Sequence, residues 1–190
     1  QYDLAENLYN ETIKLNPKYV NAYVNLGNLK RDINKFYDAI SLYEQAQKIM
    51  PQNPIILYSL ALAYQGLGDF NKSIKFANDA LKINPNLTQA DHLISQSFKY
   101  ENENLHYKEM KKKLKDSKLN DHEKIDIYFA LSKANEDMNN INTSFQFLKK
   151  GNDLKKKILD YNIKREIDLN LKIIEIFKEI NFDKYKNDSK

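Results

Sequence analysis

The side chains of this sequence that could act as acids, bases or metal ligands are few and widely spaced. Its three histidines, His92, His106 and His122, fall in separate segments, and none stands in the H-E-x-x-H spacing of a helical zinc site. Asp91 and Asp121 each precede a histidine directly, so in a helix the two neighbouring side chains would point to different faces. The sequence therefore predicts no catalytic residues and no metal site.

Other reactive groups are missing as well. The chain has no cysteine, which excludes disulfides and thiol catalysis. It has neither a glycine-rich phosphate loop nor a nucleophile elbow, so we expect no cofactor. The lack of cysteine is compatible with a cytoplasmic protein, which is our expectation. No apolar run approaches the roughly 20 residues of a membrane span, so no membrane partner is expected.

Lysines are concentrated between Lys108 and Lys118 and again between Lys149 and Lys157. Acidic residues interrupt both runs, and the net charge of the whole chain is only +4. Such runs are typical of a solvated helix face, so a nucleic-acid partner is not favoured. A basic nucleic-acid-binding repeat stays open as an alternative if the lysines share one face.

The elements that must position these side chains recur at a fixed interval. Pro17, Pro51 and Pro85 are each 34 residues apart. Residues 20–53 and 54–87, which contain Pro51 and Pro85, carry apolar and small residues at matching positions. Because proline lacks a backbone N–H and disfavours helix in the residue before it, each proline predicts the end of a helix.

A 34-residue helix–turn–helix period with small residues at positions eight, twenty and twenty-seven resembles the tetratricopeptide repeat, or TPR. In the first full unit these residues are Gly27, Ala39 and Ala46, and larger ones such as Tyr23 and Tyr43 surround them. The resemblance implies an all-α fold, an α-α superhelix (TPR solenoid) of antiparallel helix pairs. The pairs stack because no single pair can bury its apolar surface alone.

The resemblance also divides the chain into units. They are a partial TPR with only the second helix at 1–19, TPR units at 20–53 and 54–87, a degenerate TPR at 88–121, a TPR-like helix pair at 122–161, a C-terminal capping helix over the last repeat at 162–181 and a frayed tail at 182–190. We expect Asp121 to cap the first helix of the fourth pair. Since a solenoid would not naturally begin half-way through a unit, we also expect further repeats before residue 1 in a longer protein.

The resemblance implies a partner-binding groove on the concave surface, which the first helix of each pair faces. Asparagine amides there could bond the backbone of an extended peptide, and aromatic rings could hold its apolar side chains. The predicted contacts are Asn21, Asn25, Asn28, Arg31, Tyr58, Ser59, Leu62, Gln65, His92, Gln96, Lys99, Phe129 and Lys133. Asp126, Ala130 and Glu136 stand at equivalent positions in the fourth unit.

Residues 128–154 carry a second pattern, formed by Phe129, Ala130, Leu131, Lys133, Ala134, Glu136, Asp137, Phe145, Gly151, Asn152 and Leu154. This segment resembles the last repeat of bacterial proteins in which a TPR array precedes a sulfotransferase domain. The resemblance implies an alternative function, as the N-terminal scaffolding or substrate-presenting region of a sulfotransferase whose catalytic domain lies beyond Lys190. No catalytic residue of that family can be carried over onto this chain.

We therefore expect a protein–protein interaction module and not an enzyme. Its expected partner is a protein or peptide, bound in the concave groove as an extended segment or a helix. No oligomeric state is predicted.

Overall fold

The computed structural model describes residues 2–115, 118–159 and 163–179, and these ranges contain ten helices and no strand. In chain order the helices are α1 Tyr2–Leu15, α2 Val20–Asp32, α3 Phe36–Ile49, α4 Pro54–Gly66, α5 Phe70–Ile83, α6 Thr88–Ser97, α7 Leu105–Lys113, α8 Asp121–Asp137, α9 Ile141–Ile158 and α10 Ile163–Glu179. The all-α prediction is confirmed. The chain divides into two compact units, residues 1–155 and 156–190.

The periodic prolines end helices as predicted. Helices α1, α3 and α5 each end two residues before one of them, at Leu15, Ile49 and Ile83. After Pro51 the chain restarts as a helix within three residues, because Asn53 caps α4: its Oδ1 accepts from the backbone N–H of Ile55 at 2.8 Å.

The turn inside a helix pair recurs with the same geometry. Asn34, Gly68 and Asn139 have φ values of 60°, 78° and 60°, the left-handed conformation that ends many helices. In each case the next residue donates its backbone N–H to the carbonyl five residues earlier, over 2.8, 3.0 and 2.8 Å in the pairs Lys35–Lys30, Asp69–Tyr64 and Asn140–Asn135. The turns of the pairs α2–α3, α4–α5 and α8–α9 therefore have the same backbone conformation.

Three apolar clusters form the core of the first unit, and each is shared between neighbouring helix pairs. The first joins α2 and α3 to α4, with Tyr43 and Leu60 fully buried. The second joins α4 and α5 to α6 around Leu57 and Leu93. The third joins α7 to α8 around Met110 and other buried residues. The core therefore runs through the stack instead of lying inside single pairs.

Gly27 is required where α2 meets α3. A Cβ atom at this position would lie 2.5 Å from Cε1 of Tyr43, closer than van der Waals contact permits. The Tyr43 ring is fully buried, and its hydroxyl donates to Oδ1 of Asn28 over 2.7 Å, so it has no free space to move into. The small residue at position eight thus accommodates an aromatic ring of the partner helix.

The third pair contains a buried charged network that the sequence did not predict. Asp91 of α6 is fully buried, and Nζ of Lys113 donates to both of its carboxylate oxygens, over 2.8 and 2.6 Å. Nε2 of His106 lies 3.2 Å from Asp91 Oδ1, and its Nδ1 lies 2.6 Å from the hydroxyl of Tyr100. Burial raises the pKa of the Tyr100 hydroxyl, which keeps it protonated. These bonds tie α7 to α6.

The lysine run from Lys108 to Lys118 is therefore not a uniformly solvated face. Lys113 is mostly buried against Asp91, while Lys111 lies 3.8 Å from Glu103 and 5.3 Å from the centre of the Tyr107 ring. In its described part the run is therefore not one continuous row of exposed charges, and the nucleic-acid alternative stays a prediction.

Helix α8 is capped one residue earlier than predicted. Asn120, not Asp121, is its N-cap: the Asn120 side chain accepts from the N–H of Glu123 at 3.0 Å, and the Glu123 carboxylate accepts from the Asn120 N–H at 2.8 Å. Asp121 is instead the first helical residue, where its negative charge interacts favourably with the positive end of the helix dipole.

The helix predicted at 162–181 is present as α10, with Ile163, Ile167, Leu171, Ile174 and Phe177 each about half exposed. Its capping of the last repeat stays a prediction, as do the unit boundaries. Ile180 and the predicted frayed tail lie outside the described residues. None of the helices in the described ranges is long and apolar enough to cross a membrane.

We predict that Gly27→Ala destabilises the chain by about 1–2 kcal/mol. Overpacking against the Tyr43 ring outweighs the gain in helix propensity. Urea unfolding followed by circular dichroism measures the change. Asn25→Ala, at an exposed position of the same helix, is the control and should stay within about 0.5 kcal/mol of the parent chain. An unchanged Gly27→Ala midpoint would contradict the close packing of α2 on Tyr43.

We also predict that Lys113→Met lowers the free energy of unfolding by about 2–4 kcal/mol, because it leaves the Asp91 carboxylate buried without its main counter-charge. Adding Asp91→Asn should recover part of this loss, since it removes the unpaired buried charge that causes the destabilisation. Lys112→Met, at the exposed neighbouring lysine, should have little effect. Equal effects of the two lysine substitutions would refute the role of the network.

Candidate partner-binding groove

The first helices of the four pairs form one continuous layer. Helix α2 contacts α4, α4 contacts α6, and α6 packs against α8. Side chains that are not used to stack these helices can share one surface across the layer. The structure places all but one of the predicted contacts on these four helices.

Two of the predicted contacts need correction. Ser59 is buried at 4% exposure, so its hydroxyl is turned into the core and not to the groove. A small side chain is what allows this position of α4 to be buried. Lys99 lies beyond the end of α6 at Ser97, because the first helix of the degenerate unit is shorter than those of the units before it.

The predicted asparagines differ in their exposure and in the hydrogen bonds that their side chains already form. Asn21 and Asn25 are exposed, and their side chains form no hydrogen bond within the described residues. Asn28 accepts from Tyr43 through Oδ1, and burial raises the pKa of the Tyr43 hydroxyl to about 12, so that it remains a donor. The Asn28 amide N–H groups are left available. The three asparagines together offer donors along α2.

Several other predicted contacts are already engaged with neighbours. Gln65 donates to Oγ of Ser97 over 3.1 Å and thereby links α4 to α6. Lys133 pairs with Asp137 one turn further along α8. Gln65 thus helps to hold α4 against α6, whereas the Lys133–Asp137 pair lies within α8. The polar ends of both side chains are only partly available to a ligand.

The centre of the layer brings together residues from three helices. The rings of His92 on α6 and Phe129 on α8 lie 6.1 Å apart at 41°. Asp126, one turn before Phe129, accepts a 2.8 Å hydrogen bond on Oδ2 from the buried hydroxyl of Thr88. Tyr58 of α4 lies close enough for the charge of Asp126 to affect its ionisation.

Ionisation in this central cluster is governed by burial. Burial raises the pKa of Asp126, while the Thr88 hydrogen bond and the nearby His92 and His122 act in the opposite direction. Burial lowers the pKa of His92, opposed by the charge of Asp126. Burial also raises the pKa of the Tyr58 hydroxyl, and Asp126 adds to this shift. The cluster therefore holds a carboxylate whose charge is incompletely compensated.

Cavities border the helices in the described part of the chain. One of about 410 Å³ lies between α8 and α9 and is lined by Phe129, Ser132, Lys133, Glu136, Ile141, Ser144, Phe145 and Leu148. It continues the layer at Phe129 and Lys133. Another, of about 960 Å³, lies on second helices and is lined by Asn78, Leu81, Lys82, Pro85, Asn86, Glu109, Lys112, Lys113 and Lys115. The described ranges hold no group of three or more acidic or histidine side chains arranged for a metal ion.

Two sequence families match the middle of the chain. A family described as TPR repeat matches residues 27–68, and one described as Tetratricopeptide repeat matches residues 54–87. The human protein O-mannosyl-transferase TMTC3 is 32% identical over 82 residues, which is 43% of this chain but only 9% of that protein. The sulfotransferase resemblance lies in residues 128–154, outside residues 27–87 that the two families match, and stays a prediction.

Solved structures share the fold over most of the chain. The crystal structure of MamA has a TM-score of 0.64 and 19% identity, covering 84% of this chain and 92% of that one. YrrB, described as a TPR protein with an unusual peptide-binding site, has a TM-score of 0.58 and 17% identity, covering 80% and 77%. The tetratricopeptide repeats matched at residues 27–87 are typical of protein-interaction scaffolds. The chain therefore contains tetratricopeptide repeats within residues 27–87 and has the all-α fold of a TPR solenoid.

Proposed function

We propose that this chain binds an extended segment of a partner protein across the layer formed by α2, α4, α6 and α8. The observation that carries the proposal is the row of uncommitted amide groups on α2, together with aromatic side chains on α4 and α8 further along the same layer. Asn21, Asn25 and the N–H groups of Asn28 can bond a peptide backbone, and Tyr58 and Phe129 can contact its side chains.

The composition of the layer favours protein over nucleic acid as the ligand. Its side chains are mostly neutral, and its charges are mixed, with Arg31 beside Asp32 at 3.2 Å and Lys133 beside Asp137. A phosphate backbone requires a row of unpaired cations. An extended peptide requires alternating donors, acceptors and shallow apolar contacts, which this surface offers.

The fold comparison is consistent with this proposal but does not carry it. YrrB, whose fold is similar, is described as having an unusual peptide-binding site. Because the identity is only 17%, we take from it the fold alone. The proposal depends on the side chains of this chain.

The test is a selection from a random-sequence peptide library on the whole chain, followed by fluorescence-anisotropy titration of the selected peptides. We predict that Asn25→Ala, Asn28→Ala, Tyr58→Ala lowers peptide affinity about tenfold or more, because up to three contacts of about 1 kcal/mol are removed. The control is Asn71→Ala, Asn78→Ala, Tyr37→Ala, which removes the same residue types from exposed positions on second helices. It should leave affinity within twofold.

A second variant shows whether the first loses affinity through lost contacts or through misfolding. Asn21→Ala, Asn25→Ala alters only exposed side chains that make no hydrogen bond in the described residues, so its melting temperature should be unchanged. It should still weaken peptide binding severalfold. If the control variant weakens peptide binding and neither groove variant does, the layer of α2, α4, α6 and α8 is not the binding surface.

A further inference from the structure

We propose that Asp126 forms a cation-binding subsite in this layer, which receives a lysine or arginine side chain of the bound partner. The inference rests on the proposed function, since it names the chemistry of one residue of the partner. It depends on the surroundings of the carboxylate, which come from α4, α6 and α8.

The Asp126 carboxylate is held in place but not neutralised. Its Oδ2 accepts from Oγ1 of Thr88 over 2.8 Å, and Thr88 is fully buried, so the orientation of the carboxylate is fixed. Within the described residues, Oδ1 has no hydrogen-bond partner, and no lysine or arginine forms an ion pair with Asp126. One oxygen of a positioned carboxylate therefore remains available to a ligand.

The charges that face Asp126 from the packed helices do not replace such a partner. Asp91 on α6 adds negative potential, although Lys113 pairs with it directly. His92 on α6 and His122 on α8 are the groups capable of positive charge that act on Asp126, and burial lowers the pKa of His92, which disfavours its charge. Burial raises the pKa of Asp126 itself, so an added cation would relieve an existing penalty.

The walls of the subsite suit a long cationic side chain. Tyr58 on α4 and Phe129 on α8 are half-buried and offer aromatic surface, and the His92 ring lies 6.1 Å from Phe129. Aromatic faces bind the methylene stem of lysine or arginine and attract its charged end. A metal ion fits less well, because a single carboxylate does not make up a ligand set.

A purely structural role for Asp126, as an acceptor for Thr88, is the competing explanation. Asp126→Asn separates the two roles, because the carboxamide oxygen still accepts from Thr88 while the charge is removed. Since the ionised carboxylate is less favourable in the folded chain than in water, this variant should keep or slightly raise the melting temperature at pH 7. Glu44→Gln, at an exposed acid on the second helix α3 and outside the layer, is the matched control.

The experiment is an NMR titration of the whole ¹⁵N-labelled chain with N-acetyl-lysine methylamide, and separately with N-acetyl-norleucine methylamide, its uncharged analogue. We expect the lysine probe to shift the amides of Thr88, His92 and Phe129 and to bind roughly tenfold more tightly than the norleucine probe. Asp126→Asn should abolish that preference, and Glu44→Gln should retain it. Equal binding of the two probes, no binding of either, or a preference that survives Asp126→Asn would overturn the proposal.

The library selection distinguishes this failure from failure of the proposed function. Peptides selected on the parent chain should be enriched in lysine and arginine, and the enrichment should vanish when the selection is repeated on Asp126→Asn. Peptides that bind the layer without a basic residue would leave the groove intact and refute the subsite. Lysine-probe binding at Asp126 without any groove-dependent peptide would refute the proposed function instead.

Discussion

The burial of apolar side chains between neighbouring helix pairs is the constraint on which the rest of this structure depends. Tyr43 from one pair and Leu60 from the next lie in a single cluster, and both are fully buried. Burying one such side chain contributes about 1.5–3 kcal/mol, so a pair without its neighbour loses several contributions of this size. Stacking uses the faces between pairs and leaves the outward face of each first helix unconstrained. Polar and aromatic residues can therefore occupy that face without loss of fold.

The third pair meets the same constraint in a different way. Its second helix, α7, has only nine residues and three lysines in its last turn, so it offers little apolar surface. The network around Asp91 supplies a specific connection to α6 in place of part of that surface. Buried ion pairs add little net stability compared with apolar packing, but they tolerate few alternative arrangements. The network thus fixes how the degenerate unit sits between its regular neighbours.

Much of the fold was predictable because its signals are local. A proline cannot continue a helix beyond its first turn, and the spacing of Pro17, Pro51 and Pro85 therefore predicted the helix ends. The errors concern properties that depend on distant residues or competing neighbours. The burial of Asp91 requires Lys113, 22 positions away, and the burial of Ser59 depends on the packing of α4. Asn120 and Asp121 are both good caps, and only the backbone geometry decides between them.

The aspartates Asp91 on α6 and Asp126 on α8 show how differently the chain can treat a partly or fully buried carboxylate. Asp91 is fully buried and holds Lys113 and His106, so its charge is compensated within the chain. Asp126 lies partly exposed with a hydroxyl as its only hydrogen-bond partner in the described residues. The same helices could have carried a lysine opposite Asp126, as α7 does opposite Asp91. A carboxylate that is positioned but left without a counter-charge destabilises the isolated chain slightly, and that penalty is removed when a cation from a partner arrives.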